Sequence, residues 1–80
     1  MIELFHAIGD EASAAARREI ARLRLEERVT FRNIFYPEAD ADFRARGGGA
    51  LPALWDGARL HIGLDAVLAQ LSSLAGRDRE

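Results

Sequence analysis

The sequence predicts an α/β domain with a four-stranded mixed sheet and helices on both faces of that sheet. In the first half of the chain, two strand-like segments flank a long helix-forming stretch, which is typical of a βαβ unit with parallel strands. The second half adds a proline-led apolar segment, an Asp-Gly turn, another short strand and a final helix. At 80 residues, the chain has the length of one small domain.

The first strand is predicted over residues 1–8, where apolar residues are nearly continuous, as in a strand covered on both faces. Gly9 ends it, and the acidic residues Asp10 and Glu11 suit the start of a helix. That helix is predicted over residues 11–26, which consist mainly of good helix formers. Its sheet-facing positions are Ala12, Ala16, Ile20 and Leu23. Its arginines are expected on a solvated face.

A second strand is predicted over residues 29–36, where apolar and polar side chains partly alternate. Pro37 suits the first turn of a short helix over residues 38–46, because an N–H at that position has no partner inside the helix. Acidic residues come early in this helix and arginines come late, which complements the helix dipole. The three glycines 47–49 end the helix.

The third strand is predicted to begin after Pro52, since a residue without an N–H can open a strand but rarely lies inside one. Asp56-Gly57 predicts a type I′ turn between this strand and the next. Residues 59–62 alternate between polar and apolar, as a half-buried strand does.

The last helix is predicted over residues 66–74, with an apolar stripe on one side. Asp65 is a candidate cap at its start, and Gly76 is a candidate stop after its end. Residues 77–80 are expected to form a charged, flexible tail, which leaves a single domain over residues 1–76.

Two segments carry a family resemblance: residues 51–57, Leu-Pro-Ala-Leu-Trp-Asp-Gly, and residues 62–65, Ile-Gly-Leu-Asp. Together they resemble the second half of a glutaredoxin or thioredoxin domain, and they are also similar to the N-terminal domain of glutathione transferases. With the order β-α-β-α-β-β-α, the resemblance extends over residues 2–75. It implies a thioredoxin-like (glutaredoxin-like) fold and a cis peptide bond before Pro52, beside the ligand site.

The chain contains no cysteine, so the thiol chemistry of that superfamily is excluded within it. The resemblance places Asp10 at the first, nucleophilic cysteine of the redox motif and Ser13 at the second. Judged from the residues alone, Asp10 is a helix cap and Ser13 a first-turn serine. The resemblance also implies a glutathione site, in which Ser13 or Asp10 contacts the thiol, Leu51 before Pro52 offers its backbone, and Asp65 lies at the last helix.

Composition limits the other possibilities. The net charge of −2 favours neither nucleic acid nor an anionic membrane as a partner. No apolar run is long enough for a transmembrane helix and no signal peptide is visible, so we expect a cytoplasmic protein. There is no lysine for a Schiff base or a phosphate-binding loop, and the two histidines lie on different strands, so no metal site is expected.

We therefore expect a cysteine-free glutaredoxin/thioredoxin-family protein without dithiol oxidoreductase activity. The first hypothesis is a peptide- or protein-binding module that uses the groove between the start of the first helix and the Leu51-Pro52 turn. One alternative is a glutathione-binding or transferase-related domain with Ser13 as the polar contact. The other is a structural homodimer, and the sequence leaves both monomer and homodimer open. No cofactor is expected apart from glutathione in the first alternative.

Overall fold

The computed structural model describes residues 1–78. Its elements are β1 (Ile2–His6), α1 (Glu11–Arg22), β2 (Val29–Asn33), α2 (Pro37–Ala45), β3 (Ala53–Trp55), β4 (Leu60–Ile62) and α3 (Leu64–Asp78). The predicted order β-α-β-α-β-β-α is therefore confirmed. Within residues 1–78, none of the helices combines the length and the apolar character needed to cross a membrane.

The strands form one sheet in the order β2-β1-β3-β4. β1 runs parallel to β2, with Leu4 opposite Phe31, and antiparallel to β3, with Leu4 opposite Leu54. β3 and β4 form an antiparallel hairpin. The four-stranded mixed sheet and its parallel first pair are as predicted, and β2 and β4 are the two edge strands.

Helices cover both faces of the sheet, as predicted. On one face Leu4 and Leu54 pack with α1 and α3 in a core completed by Ala16, Ile20, Leu25, Val29, Val67, Leu71, Leu74 and Ala75. On the other face Phe5 and Ala53 pack against Phe43 of α2, and the two phenylalanine ring centroids lie 5.5 Å apart. Burying one such side chain contributes roughly 2–3 kcal/mol, so a single aromatic pair does much to hold α2 on the sheet.

Helix α1 ends at Arg22, four positions before the predicted end at Glu26. Arg24 adopts a positive φ of 58°, and the N–H groups of Arg24 and Leu25 donate to Ala21 and Ile20 in a Schellman arrangement. This turn places Leu25 in the core, where it is 1 % exposed. Glycine is the usual residue at this position of a helix end. Because the chain has Arg24 there, the helix was predicted to continue too far.

The first two strands are also shorter than predicted. β1 ends at His6, so Ala7 and Ile8 belong to the loop before α1 and not to a covered strand. β2 ends at Asn33, whose side-chain Oδ1 accepts the Phe35 N–H at 3.0 Å and bends the chain toward α2. Pro37 lies in the first turn of α2, as predicted.

The hairpin between β3 and β4 turns one residue later than predicted. The N–H of Asp56 donates to the Arg59 carbonyl at 3.1 Å, so Gly57 and Ala58 are the central pair. Gly57 has a φ of 101° and Asp56 does not have a positive φ, so the type I′ turn centred on Asp56-Gly57 is wrong. Asp56 acts through its side chain, whose Oδ1 accepts the N–H groups of Ala58 and Arg59, each at 2.8 Å.

Helix α3 is longer than predicted at both ends. It starts at Leu64, so Asp65 lies inside its first turn and does not precede it. It continues through Gly76 to Asp78, because Leu74 and Ala75 in its last turns remain buried against the core. The predicted stop at Gly76 is therefore wrong, and residues 77 and 78 of the predicted tail belong to the helix. The last two residues of that predicted tail, Arg79 and Glu80, lie outside the described residues.

Candidate functional site

The Leu51–Pro52 peptide bond is cis, as the family resemblance implies. Pro52 is buried, and its carbonyl accepts the Gly63 N–H at 2.9 Å, which ties this turn to the start of α3. Leu51 is half-buried and packs against the Phe5, Phe43 and Ala53 cluster. Within residues 1–78, the backbone N–H and carbonyl of Leu51 have no hydrogen-bond partner.

The start of α1 lies at the same end of the sheet as this turn. β3 runs antiparallel to β1 with Phe5 opposite Ala53, so the chain that enters β3 at Leu51 passes beside the chain that leaves β1 at Ala7. β2 runs parallel to β1 and ends at this same edge. Three connections therefore meet here: the β1–α1 loop, the β2–α2 loop and the cis-proline turn.

Asp10 caps helix α1, as the residues predicted. Its Oδ2 accepts the Ser13 N–H at 2.8 Å. Hydrogen bonds from the Ser13 hydroxyl and from the Ser13 backbone hold the pKa of Asp10 below its usual range. The N-terminal end of α1 is thus occupied by a carboxylate from the chain itself.

Ser13 is fully buried, with 0 % of its surface exposed. Its Oγ accepts the Ala7 N–H at 3.2 Å, so the hydroxyl joins the β1–α1 loop to the first turn of the helix. A ligand cannot reach this hydroxyl without opening that loop. The structure therefore brings Asp10 and Ser13 together in a local structural role.

Asp65, the remaining candidate, is exposed in the first turn of α3. It makes no ion pair or side-chain hydrogen bond with another residue in the described part of the chain. Asp10 pairs with Ser13, and Leu51 adjoins Pro52, but within residues 1–78 no hydrogen bond or ion pair joins Asp65 to either pair.

Large apolar side chains are exposed where the two loops meet. Ile8 is 73 % exposed, Phe35 85 % and Tyr36 62 %, and the rings of Phe35 and Tyr36 lie edge to face with centroids 5.9 Å apart. Ile8 and Phe35 line an open cleft of about 410 Å³, together with Ala7, Asn33 and Ile34. We call this the apolar cleft.

Sequence reasoning missed this surface because it assigned Ile8 to a strand covered on both faces and Phe35 to the second strand. The available signal was Asn33 shortly before Pro37, since an asparagine side chain that bonds its own backbone, followed by a proline, is typical of a turn.

A second cleft of about 350 Å³ adjoins the first and shares Asn33 with it. Its other lining residues are His6, Phe31, Arg32, Tyr36, Glu38 and Ala39. We call this the aromatic cleft. Phe31, 43 % exposed on edge strand β2, and Tyr36 give it two aromatic walls.

His6 in the aromatic cleft is almost fully buried and is held neutral by its surroundings. Burial and the charge of Arg17 both lower its pKa. A guanidinium group can only donate, so the 3.0 Å contact from Arg17 Nη1 makes Nδ1 of His6 the acceptor and leaves the ring proton on Nε2. Arg17 also donates to the Ala7 carbonyl at 3.3 Å. The prediction that Arg17 lies on a solvated face is therefore wrong.

A partly buried ion-pair network lies on the α2 side of the sheet. Glu3 accepts hydrogen bonds from Arg32 and, at 2.6 Å, from Arg46, while Arg32 also donates to Asp42 at 2.8 Å. Burial raises the pKa of Glu3, but the two guanidinium groups outweigh burial and hold the pKa below its ordinary value. The Arg46 guanidinium lies 4.5 Å from the ring centroid of Trp55. The positive charges of Arg32 and Arg46 balance the negative charges of Glu3 and Asp42 in this network.

No group of metal-ligating side chains suited to a metal ion occurs among residues 1–78. Comparisons of the chain with protein-family models, with curated proteins and with solved structures found no match. Function is therefore inferred from the geometry of the chain itself.

Proposed function

We propose that the chain is a cysteine-free, thioredoxin-like (glutaredoxin-like) domain that binds an extended segment of a partner protein. The strand order β2-β1-β3-β4 with a parallel first pair supports the fold assignment. The binding site is the corner of the sheet where the β1–α1 loop, the β2–α2 loop and the Leu51-Pro52 turn meet.

The exposure of Ile8, Phe35 and Tyr36 at this corner carries the proposal. Leaving three large apolar side chains in water at one place costs free energy that a small domain recovers when a partner covers them. Ile8 and Phe35 line the apolar cleft and Tyr36 lines the adjoining aromatic cleft, and both clefts are already formed, so binding requires little rearrangement.

The unpaired backbone of Leu51 supplies the polar part of the interaction. Its free N–H and carbonyl lie beside the loop at Ala7, within the same corner. An extended peptide satisfies such groups with its own backbone, while its side chains occupy neighbouring clefts. This arrangement gives affinity without any reactive group, which is consistent with a chain that contains no cysteine.

Glutathione is the rival ligand, and the geometry favours it less. The buried Ser13 hydroxyl is already bonded to Ala7, and the Asp10 carboxylate occupies the helix end that would otherwise stabilise a thiolate. We expect a titration with reduced glutathione to give no saturable amide shifts at Ser13, Leu51 or Asp65. Saturable shifts at all three would instead favour the glutathione-binding hypothesis.

An array of random short peptides, probed with the labelled protein, tests the binding function. We expect a subset of peptides to bind and to shift the amide resonances of Ile8, Phe35 and Leu51. Phe35→Ser removes an exposed aromatic anchor and should weaken these peptides about tenfold. Ile62→Ser is the matched control, because Ile62 is an exposed apolar residue on the opposite edge strand, β4.

Equal losses in Phe35→Ser and Ile62→Ser would show that this corner is not the binding site. Binding of no peptide, combined with a mass that rises with protein concentration and falls in Phe35→Ser, would show that the exposed corner pairs two copies of the chain. That result would favour the structural homodimer over the proposed function.

A further inference from the structure

The two clefts at this corner differ in chemistry although they share Asn33. Aliphatic and aromatic side chains dominate the apolar cleft, whereas the aromatic cleft combines the rings of Phe31 and Tyr36 with a carboxylate, that of Glu38. An extended segment that crosses Asn33 therefore meets two neighbouring environments with different preferences.

The charge available in the aromatic cleft is negative. Glu38 is exposed and has no ion-pair partner within residues 1–78. Arg32, the cationic residue in the lining, is already paired with Glu3 and Asp42. Arg17 lies behind the neutral His6 ring and is close enough to the Asp10 carboxylate to interact with it.

We propose that the partner segment carries an arginine or lysine close to an apolar residue. The apolar side chain occupies the apolar cleft, and the cationic side chain lies between the rings of Phe31 and Tyr36 with its charge against Glu38. This inference rests on the proposed function, and it defines the class of peptide that the corner selects.

Each contact has a physical basis. A guanidinium or ammonium group is attracted to the face of an aromatic ring, and Phe31 and Tyr36 present rings at this surface. The carboxylate of Glu38 adds charge complementarity, which contributes more to selectivity than to affinity at an exposed position. The side-chain oxygen of Asn33 is used by the Phe35 N–H, which leaves its amide NH₂ to donate to a peptide carbonyl.

A set of short capped peptides that differ at one position tests the inference. Each contains a leucine, and the neighbouring position is arginine, lysine, glutamine or glutamate. Fluorescence anisotropy measures the affinities, and amide shifts at Asn33, Tyr36 and Glu38 locate the site. We expect the arginine and lysine peptides to bind about three- to fivefold more tightly than the glutamine peptide, which is the factor that an exposed ion pair supplies. The glutamate peptide should bind most weakly.

Variants at exposed positions identify the residue responsible. Glu38→Gln should remove most of the preference for arginine over glutamine. Glu38→Arg should reverse the order so that the glutamate peptide binds most tightly. Glu27→Gln is the matched control, because Glu27 is an exposed acid in the loop between α1 and β2 and should change nothing.

The outcomes separate this inference from the proposed function. Equal affinities of the arginine, glutamine and glutamate peptides, with shifts at Ile8 and Phe35, would overturn the charge preference and retain the peptide-binding function. Binding of none of the peptides in this set or in the random array would overturn both. A preference for arginine that is unchanged in Glu38→Arg would also overturn the inference, because the selecting charge would then lie elsewhere.

Discussion

Substitution of Glu3 perturbs the contacts that hold α2 to the sheet. Glu3 lies in the central strand β1 with 5 % of its surface exposed, and its carboxylate accepts hydrogen bonds from Arg32 and Arg46. Glu3→Gln keeps the size of the side chain but removes its charge and one of its two oxygen acceptors. At least one of the guanidinium groups then loses its partner on Glu3.

The size of the effect follows from these contacts. A hydrogen bond to a charged group contributes about 1.5–3 kcal/mol, and removing one partner of a buried ion pair costs about 3–5 kcal/mol. The upper values do not apply here, because the side chains of Arg32 and Arg46 are 21 % and 26 % exposed and Arg32 retains Asp42. We therefore expect Glu3→Gln to lower the free energy of unfolding by about 2–3 kcal/mol at neutral pH.

Urea unfolding, followed by the fluorescence of Trp55, measures this loss. The pKa of Glu3 is lowered in the folded protein from an ordinary value of 4.5. Its ionised form therefore stabilises the fold above that value, and this contribution is lost as the pH falls through the lower, folded pKa. The difference between Glu3→Gln and the unsubstituted protein should accordingly shrink in acid.

Glu19→Gln is the matched control, since it breaks the 2.7 Å ion pair with Arg22 on the exposed surface of α1. We expect this variant to unfold at nearly the same urea concentration as the unsubstituted protein. The reasoning would be refuted if Glu3→Gln cost no more than Glu19→Gln, or if its effect grew as the pH was lowered.

Three further predictions concern the turns. Arg24→Gly should raise the free energy of unfolding by up to about 1 kcal/mol, since glycine adopts the positive φ of 58° without strain. The control Arg18→Gly, inside α1, should lower the free energy of unfolding by about 1 kcal/mol in the same urea assay. Gly48→Ala should lower the melting temperature, because its Cβ would overlap the phenylalanine ring of α2, and Gly49→Ala, with open space around it, should not. A hydrogen bond from the histidine of β4 lowers the pKa of the Asp56 carboxyl to about 2, and an NMR titration should find its midpoint there. The ionised carboxylate should stabilise the fold above pH 3.8, and this stabilisation should be lost as the pH falls toward about 2. A titration midpoint near 3.8 would contradict this prediction.

Local signals in the sequence were sufficient for the order of the elements. Pro52 before an apolar run indicated the start of β3, and a cap-forming Asp10 indicated the start of α1. These features depend on backbone chemistry within a few residues, which is why they were predictable. The strand ends were not, because apolar residues such as Ile8 and Phe35 look the same in sequence whether they are buried or exposed.

The charged network was beyond the reach of the sequence for a different reason. Glu3, Arg32 and Arg46 come from β1, β2 and the end of α2, and they meet only after the sheet and α2 have assembled. The one local sign was a carboxylate within a largely apolar strand, where a charge needs a partner. That sign indicates that a partner exists without identifying it.

The electrostatics of the corner distinguish the two ligand classes. Glutathione carries a net negative charge at neutral pH, and it would approach a corner with two carboxylates, Asp10 at the start of α1 and Glu38 at the start of α2. Arg17 is close enough to interact with the Asp10 carboxylate, whereas Arg32 is paired with Glu3 and Asp42, so Glu38 is the carboxylate without an offsetting arginine among residues 1–78. A cationic peptide gains from the same carboxylates and from the exposed rings. The charges that make a thiolate ligand unfavourable at this corner are therefore the ones that favour a basic and apolar segment.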